Sequence, residues 1–237
     1  MLKFKELVIA TEKKRELFKT DDLILESGIV ALVGRNGAGK STLFRAIMGG
    51  PVYRTGAIEI EGREVKNYRR EELAKKVSIV FSKSTVFGNH TGRDLLFLGR
   101  LPYQNMFSLR TSADHEYIER IIALLELQDI VDREYTQMSD GEKQLIMIGR
   151  AMAQDTPIIM LDEPNAFLDL VNRHKVMNIL RKIGAEANKL VLFSTHDIDF
   201  LSDLCDSVLL IDQGELIKIE AKNAFIPTIK SSFGINS

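Results

Sequence analysis

The stretch "GIVALVGRNGAGKSTLFRAIMG", residues 28–49, contains a strand, a loop and a helix in immediate succession. The apolar run ending at Gly34 is too short for a globular helix, and it is continuous rather than alternating. That is the pattern of a strand buried on both faces of a parallel sheet. An amphipathic helix follows from Ser41. Between the two, Gly34, Arg35, Asn36, Gly37, Ala38, Gly39, Lys40, Ser41 and Thr42 fit the pattern G-x-x-x-x-G-K-[ST] in full. Glycines let the backbone curl so that several N–H groups converge on phosphates, and the following helix N-terminus adds positive potential. Lys40 can then reach the β- and γ-phosphates, and the Ser41 hydroxyl can ligate Mg²⁺. The stretch predicts binding of a nucleoside triphosphate. By itself it separates neither ATP from GTP nor hydrolysis from kinase transfer.

The same rhythm recurs outward from this point. "PIIMLDEP" and "KLVLFSTHD" are further short buried runs ending in polar residues, and "LVNRHKVMNILRKIGAEAN" is an amphipathic helix between them. Such alternation predicts an α/β fold: a mainly parallel sheet with helices on both faces, the P-loop NTPase core. "TGAIEIEGREV" and "SVLLIDQGELIKIEA" each read as two strands about a Gly turn, which adds a small antiparallel β part. The stretch from about Thr85 to Asp140 contains no convincing strand, and "MSDGE" with the helix after it extends this region over 85–154. In "DHEYIERIIALLELQ", Tyr117, Ile118, Ile121, Ile122 and Leu125 share one helical face. This region is expected to be an α-helical lobe inserted into a core formed by 1–84 and 155–237, the whole making a single domain. The tail "IPTIKSSFGINS" is expected to fray.

Lys and Arg number 32 against 33 Asp and Glu. That near-balance lacks the basic footprint of a nucleic-acid partner, and none is expected. The single Cys205 permits no intramolecular disulfide and fits a reducing compartment as a small buried hydrophobe. No apolar run approaches the roughly 20 residues of a membrane span, and the N-terminus is too charged for a signal segment. A soluble, cytosolic chain is expected, with any membrane association made through a partner.

Asp162 and Glu163 end the buried run "IIMLDEP", at the carboxyl edge where open α/β sheets bind ligands. An aspartate there holds Mg²⁺ in P-loop enzymes, and the adjacent Glu163 can polarise an attacking water. Asp162 and Glu163 would also suit a plain helix start, but the complete phosphate loop favours the site. His196 ends a third strand and can reach a γ-phosphate. His90, His115 and His174 lack such a setting. In "QMSDGEKQLIMIGRAMA", Ser139 and Glu142 form an S-x-x-E capping box before an apolar periodic run.

Taken in order, the phosphate loop, helical insertion, "MSDGE", "LDEP", "LDL" and a final histidine resemble the ATP-binding subunits of ABC transporters over nearly the whole chain. The family signature falls on Met138, Ser139, Asp140, Gly141 and Glu142, the D-loop on Leu168 and Asp169, and the switch histidine on His196. The resemblance implies a head-to-tail homodimer in which ATP at Lys40 of one subunit is clamped by Ser139 and Gly141 of the other. Glu163 would be the general base, with His196 at the γ-phosphate. ATP-driven closure would move transmembrane permease subunits, which place the chain at the inner face of the cell membrane and link it indirectly to a solute-binding protein. "DLLFLGRLPYQNMF" and "AMAQDTPIIMLDEPNAFLDL" look most like importers of iron–siderophore, haem or cobalamin, with Gly99 to Pro102 in the groove that receives the permease.

Three positions depart from the family. Ser82 stands where a glutamine usually senses Mg²⁺ and water; its oxygen can still bind metal but reaches less far. Thr11 occupies the place of the adenine-stacking aromatic, with Phe4 and Phe18 the nearest aromatics in sequence. Asp140 replaces a glycine and Glu142 a glutamine. A carboxylate facing a phosphate would repel it by a few kcal/mol at ~4 Å, so Asp140 is expected to turn outward and Glu142 to fold onto the cap. Two other readings compete with transport: a soluble ABC ATPase acting on ribosomes or DNA, and a regulatory subunit that hardly hydrolyses ATP. A single cassette without long coiled coils or basic charge disfavours the first. Retention of Lys40, Asp162, Glu163 and His196 disfavours the second.

Overall fold

The computed structural model describes residues 1–11, 13, 15–50, 53–82, 86, 88–104, 110–166, 168–185 and 188–234, with the backbone alone at 53 and 54. The expected lobe boundary at Thr85 and the final residues of the tail lie outside the described residues. The chain opens with β1 (Leu2–Ala10), β2 (Glu16–Thr20), β3 (Leu23–Leu25) and β4 (Gly28–Gly34), then α1 (Lys40–Ile47). There follow β5 (Tyr53–Ile60), β6 (Arg63–Glu64), α2 (Arg70–Leu73) and β7 (Val77–Val80). Helices α3 (Gly92–Leu98), α4 (Ser112–Leu125) and α5 (Asp140–Ala153) precede β8 (Ile158–Leu161), α6 (Leu170–Gly184), β9 (Leu190–Ser194) and α7 (Leu201–Leu204). The chain closes with β10 (Ser207–Asp212), β11 (Glu215–Ile219) and α8 (Phe225–Phe233).

The strands form one mixed sheet in the order β6-β5-β1-β2-β11-β10-β4-β9-β8-β7, with β3 on β1. β10, β4, β9, β8 and β7 run parallel, as their unbroken apolar runs require. Both expected hairpins form, β5–β6 and β10–β11. The antiparallel part is larger than those hairpins, because β1 pairs with β2, β3 and β5.

β4 separates two hydrophobic clusters. Ile29, Ala31 and Val33 join the cluster formed with α3 to α8, whereas Val30 and Leu32 join the one formed with α1, β1 and β5. Helices therefore cover both faces, although on one of them α1 lies against β1 and β5 as well as β4. In the lobe, α4 turns Ile118, Ile121, Ile122 and Leu125 inward as its periodicity predicts. The helix α5 packs on α3 and α4 and also reaches β7 and β8.

The tail departs from expectation. Residues Phe225–Phe233 form a helix whose Phe225 and Ile229 are fully buried. These two lie one helical turn apart on one face. Pro227 falls in the first turn, where its missing N–H costs nothing, and Gly234 closes the helix at φ 69°. Apolar anchoring outweighs terminal fraying here.

Candidate functional site

The loop after β4 delivers Lys40 to the head of α1. Its left-handed approach runs through Gly39 at φ 110°, where a Cβ would also crowd Leu17 and Phe18 at 3.0–3.1 Å. Lys40 is 6 % exposed and donates to the Gly34 carbonyl at 2.8 Å. Burial lowers the Lys40 ammonium below its ordinary pKa, and the Glu163 and Asp162 carboxylates offset part of that shift.

β9 lies beside β4 and β8 beside β9, all ending at the same edge, so the parallel register carries three more groups to Lys40. The Ser41 hydroxyl donates to Asp162 Oδ2 at 2.8 Å. His196 Nε2 stands 2.8 Å from Glu163 Oε1 and 3.1 Å from Lys40 Nζ. One ring nitrogen either donates to the carboxylate or accepts from the ammonium, so Nε2 serves one of these neighbours at a time. Glu163 sits at φ 51°, a left-handed conformation that a side chain bearing a Cβ adopts at a cost. A hydroxyl facing a carboxylate offers hard oxygen donors, and this pair fits Mg²⁺: Ser41 and Asp162 would hold it, and it would neutralise phosphate charge there. Ser82 follows β7 on the surface, and among the described residues no hydrogen bond joins it to Ser41 or Asp162.

The signature stretch starts α5 as a complete capping box. Glu142 N–H donates to Ser139 Oγ at 3.3 Å, and Ser139 N–H donates to Glu142 Oε2 at 2.7 Å. Arg133 Nη1 donates to Glu142 Oε1 at 2.7 Å. The Ser139 N–H and Arg133 hold the Glu142 carboxyl below its ordinary pKa, so its charge is spent inside the cap. Asp140 points outward, its side chain 83 % exposed, with Lys143 at 3.9 Å. Met138 is buried and anchors the loop in the core. Gly141 permits a close approach, since a Cβ there would stand 2.5 Å from the Asn172 amide.

The D-loop pair divides its work. Leu168 is buried, and Asp169 caps α6 by accepting the Asn172 N–H at 2.8 Å, leaving Leu170 and Val171 exposed. Arg173 ties this turn to the histidine loop, donating to Leu168 O at 3.4 Å and to Asp197 Oδ2 at 3.2 Å. Phe4 and Phe18, the aromatics nearest the base-stacking position, are fully buried core residues and are not available to a nucleotide.

The ABC transporter family matches residues 21–166, which take in the phosphate loop, the signature and the acidic strand end. The chain belongs to the ABC transporter family. Among curated proteins, the petrobactin import ATP-binding protein of Bacillus subtilis is 34 % identical over 85 % of this chain and 79 % of its own length. The cobalamin import ATP-binding protein of Halobacterium salinarum is 28 % identical over 89 % of this chain and 53 % of its own. Across such relatives the chain spans from about half to about four-fifths of their length. Among solved structures, a nucleotide-free ATP-binding cassette from an ABC transporter superposes with a TM-score of 0.84 at 19 % identity, covering 99 % of this chain and 98 % of that one.

The ABC fold thus brings Lys40, Ser41, Asp162, Glu163 and His196 together within this chain. Among the described residues the signature shares no hydrogen bond or ion pair with them, and Gly141 instead packs on Asn172 behind the D-loop. Sequence reasoning missed Ser194, Arg173 and Arg133. "FSTHD" and "LDLVNR" contain the first two, but their roles depend on atoms brought close by folding.

Proposed function

We propose that this chain is the ATP-binding and ATP-hydrolysing subunit of an ABC importer for an iron–siderophore, haem or cobalamin. Support comes first from one observation: Lys40, His196 and Glu163 are linked at 3.1 and 2.8 Å beside the Ser41–Asp162 pair, at the carboxyl ends of three adjacent strands. The arrangement supports a reading in which Lys40 grips phosphate, Ser41 and Asp162 hold magnesium and Glu163 acts as general base at one γ-phosphate. The sandwich reading asks for further donors on the opposite side of that phosphate. Ser139 supplies them from a second copy: its Oγ already accepts from the Glu142 amide, which leaves the hydroxyl proton to donate.

Two subunits arranged head to tail would then sandwich two ATP molecules, with closure driving permease subunits and, through them, a solute-binding protein outside. Among the described residues no helix is long and apolar enough to cross a membrane. Contact with the permease at the inner face of the membrane is assigned to the surface around the "GRLP" turn, where Leu98, Leu101 and Tyr103 are large apolar side chains left 38–51 % exposed. The import of petrobactin and of cobalamin by relatives supports the solute class.

The test is Mg²⁺-dependent ATP hydrolysis by the purified chain, beside Glu163→Gln. Loss of the base should lower kcat by about 10²–10⁴-fold while ATP binding persists. The variant should sediment as an ATP-dependent dimer. A monomer at saturating ATP would overturn the sandwich.

A further inference from the structure

The two acidic groups of the site are neighbours in sequence but face different tasks, and something must hold them apart. Ser194 is the last residue of β9 and is fully buried. The parallel register pairs Leu161 with Phe193, so the next step along both strands sets Ser194 against Asp162. Its hydroxyl has one proton to give, and the carboxylate takes it: Ser194 Oγ donates to Asp162 Oδ1 at 2.7 Å. The same oxygen accepts the Glu163 N–H at 2.8 Å. Asp162 Oδ2 is thereby left toward Ser41, which donates to it at 2.8 Å.

We infer that Ser194 is a positioning residue, whose single hydroxyl sets both the metal-holding carboxylate and the backbone turn that aims the general base. The inference rests on the ATPase reading. A buried hydroxyl left without partners is destabilising, and so is a left-handed glutamate. Each is tolerated because the other answers it. The left-handed Glu163 backbone turns its N–H back toward β9, where Ser194 is the acceptor, and this turn carries the side chain to His196. Without the hydroxyl, Asp162 Oδ1 loses its donor and the carboxylate is held through Oδ2 and Ser41 alone, while the Glu163 N–H loses its partner inside the fold. Of the phosphate loop, Ser41 meets this network through Asp162. Among the described residues neither Lys40 nor any other residue of the loop hydrogen-bonds to Ser194 itself, so the grip of Lys40 on the nucleotide does not pass through Ser194.

Three substitutions separate these effects: Ser194→Thr keeps the hydroxyl, while Ser194→Val and Ser194→Ala remove it at two sizes. Binding of a fluorescent ATP analogue is measured in EDTA and again with Mg²⁺, followed by steady-state ATP hydrolysis. Every variant should bind as wild type in EDTA, to within about twofold. Val and Ala should lose about tenfold of the tightening that Mg²⁺ adds, and kcat should fall about 10–100-fold with KM little changed, the range seen when a group orienting a metal ligand is removed. Thr should restore both.

Equal behaviour of Thr and Val, or a loss already present in EDTA, would overturn the inference. Where the added methyl of Thr and Val unfolds β9, judged from the thermal midpoint, Ala against wild type decides by the same magnesium increment. That increment is readable without turnover. A wild-type chain that binds Mg²⁺-nucleotide yet never hydrolyses it would count against the ATPase reading, and the role of Ser194 would then be decided by the magnesium increment alone.

Discussion

Glu163 shows how single residues are used here. It sits at φ 51°, faces His196 at 2.8 Å and is held from behind by Ser194. The residue types of the site were legible in the sequence because Lys40, Asp162, Glu163 and His196 each follow a recognisable buried strand. Ser194 was not, because a serine closing an apolar strand looks like any polar terminus until the neighbouring strand is set beside it. Cys205 is the converse case, a reactive group that folding silences. It is fully buried, and that burial pushes its thiol up to about 12, Asp206 adding to the effect. The thiolate is the reactive form, so at neutral pH the native protein should resist alkylation by iodoacetamide for hours, while urea should expose one fast-reacting thiol. Rapid labelling of the folded chain, followed by mass spectrometry, would contradict this burial.

At the scale of elements, α4 was legible from its apolar period, but the device that starts it was not. Thr111 caps the helix, its hydroxyl donating to Asp114 Oδ2 at 2.8 Å, and Arg100 reaches across to Asp114 Oδ1 at 2.8 Å. Arg100 also donates to Ala153 O at the end of α5, so this ion pair joins three helices. Burial by itself would raise the Asp114 carboxyl, but Arg100 and the Thr111 donors outweigh it and hold the pKa below the ordinary value. A depressed folded pKa stabilises above the unfolded value, and that stability drains away as pH falls through the carboxylate range. Asp114→Asn should therefore cost about 3 kcal/mol at pH 7, in line with a buried pair losing one partner, and much less near pH 3. Urea unfolding at both values measures the difference; an equal loss at both would mean that the charge of Asp114 contributes nothing. The tail helix belongs to this same scale and was not legible, since Phe225 and Ile229 show their common face only after a helix is assumed.

For the whole molecule, alternation of strands and helices was enough to anticipate the parallel core, while the extent of the antiparallel part was hidden. β1 pairs with its neighbour β2 and, at long range, with β5 through registers interrupted at Ile9/Ala10 and at Lys5/Val8, and such irregular pairing leaves little periodic trace. The proposed dimer depends on the surface each copy presents to the other. On the signature side, Glu142 is neutralised within the cap by Arg133, and Asp140 is left as the exposed acid, its side chain 83 % accessible and its nearest cation, Lys143, at 3.9 Å. It lies in the first turn of α5, where its charge reduces the positive potential that the helix end would offer a phosphate. An exposed charge acts through water and salt, so the effect is modest, on the order of 1 kcal/mol or about fivefold in association, and falls as ionic strength rises. In a Glu163→Gln background, Asp140→Gly should strengthen ATP-dependent dimerisation by about that factor at low salt, with the gain shrinking toward 1 M salt. Sedimentation across a salt series measures this. Unchanged or weaker dimerisation at low salt would mean that Asp140 does not oppose closure.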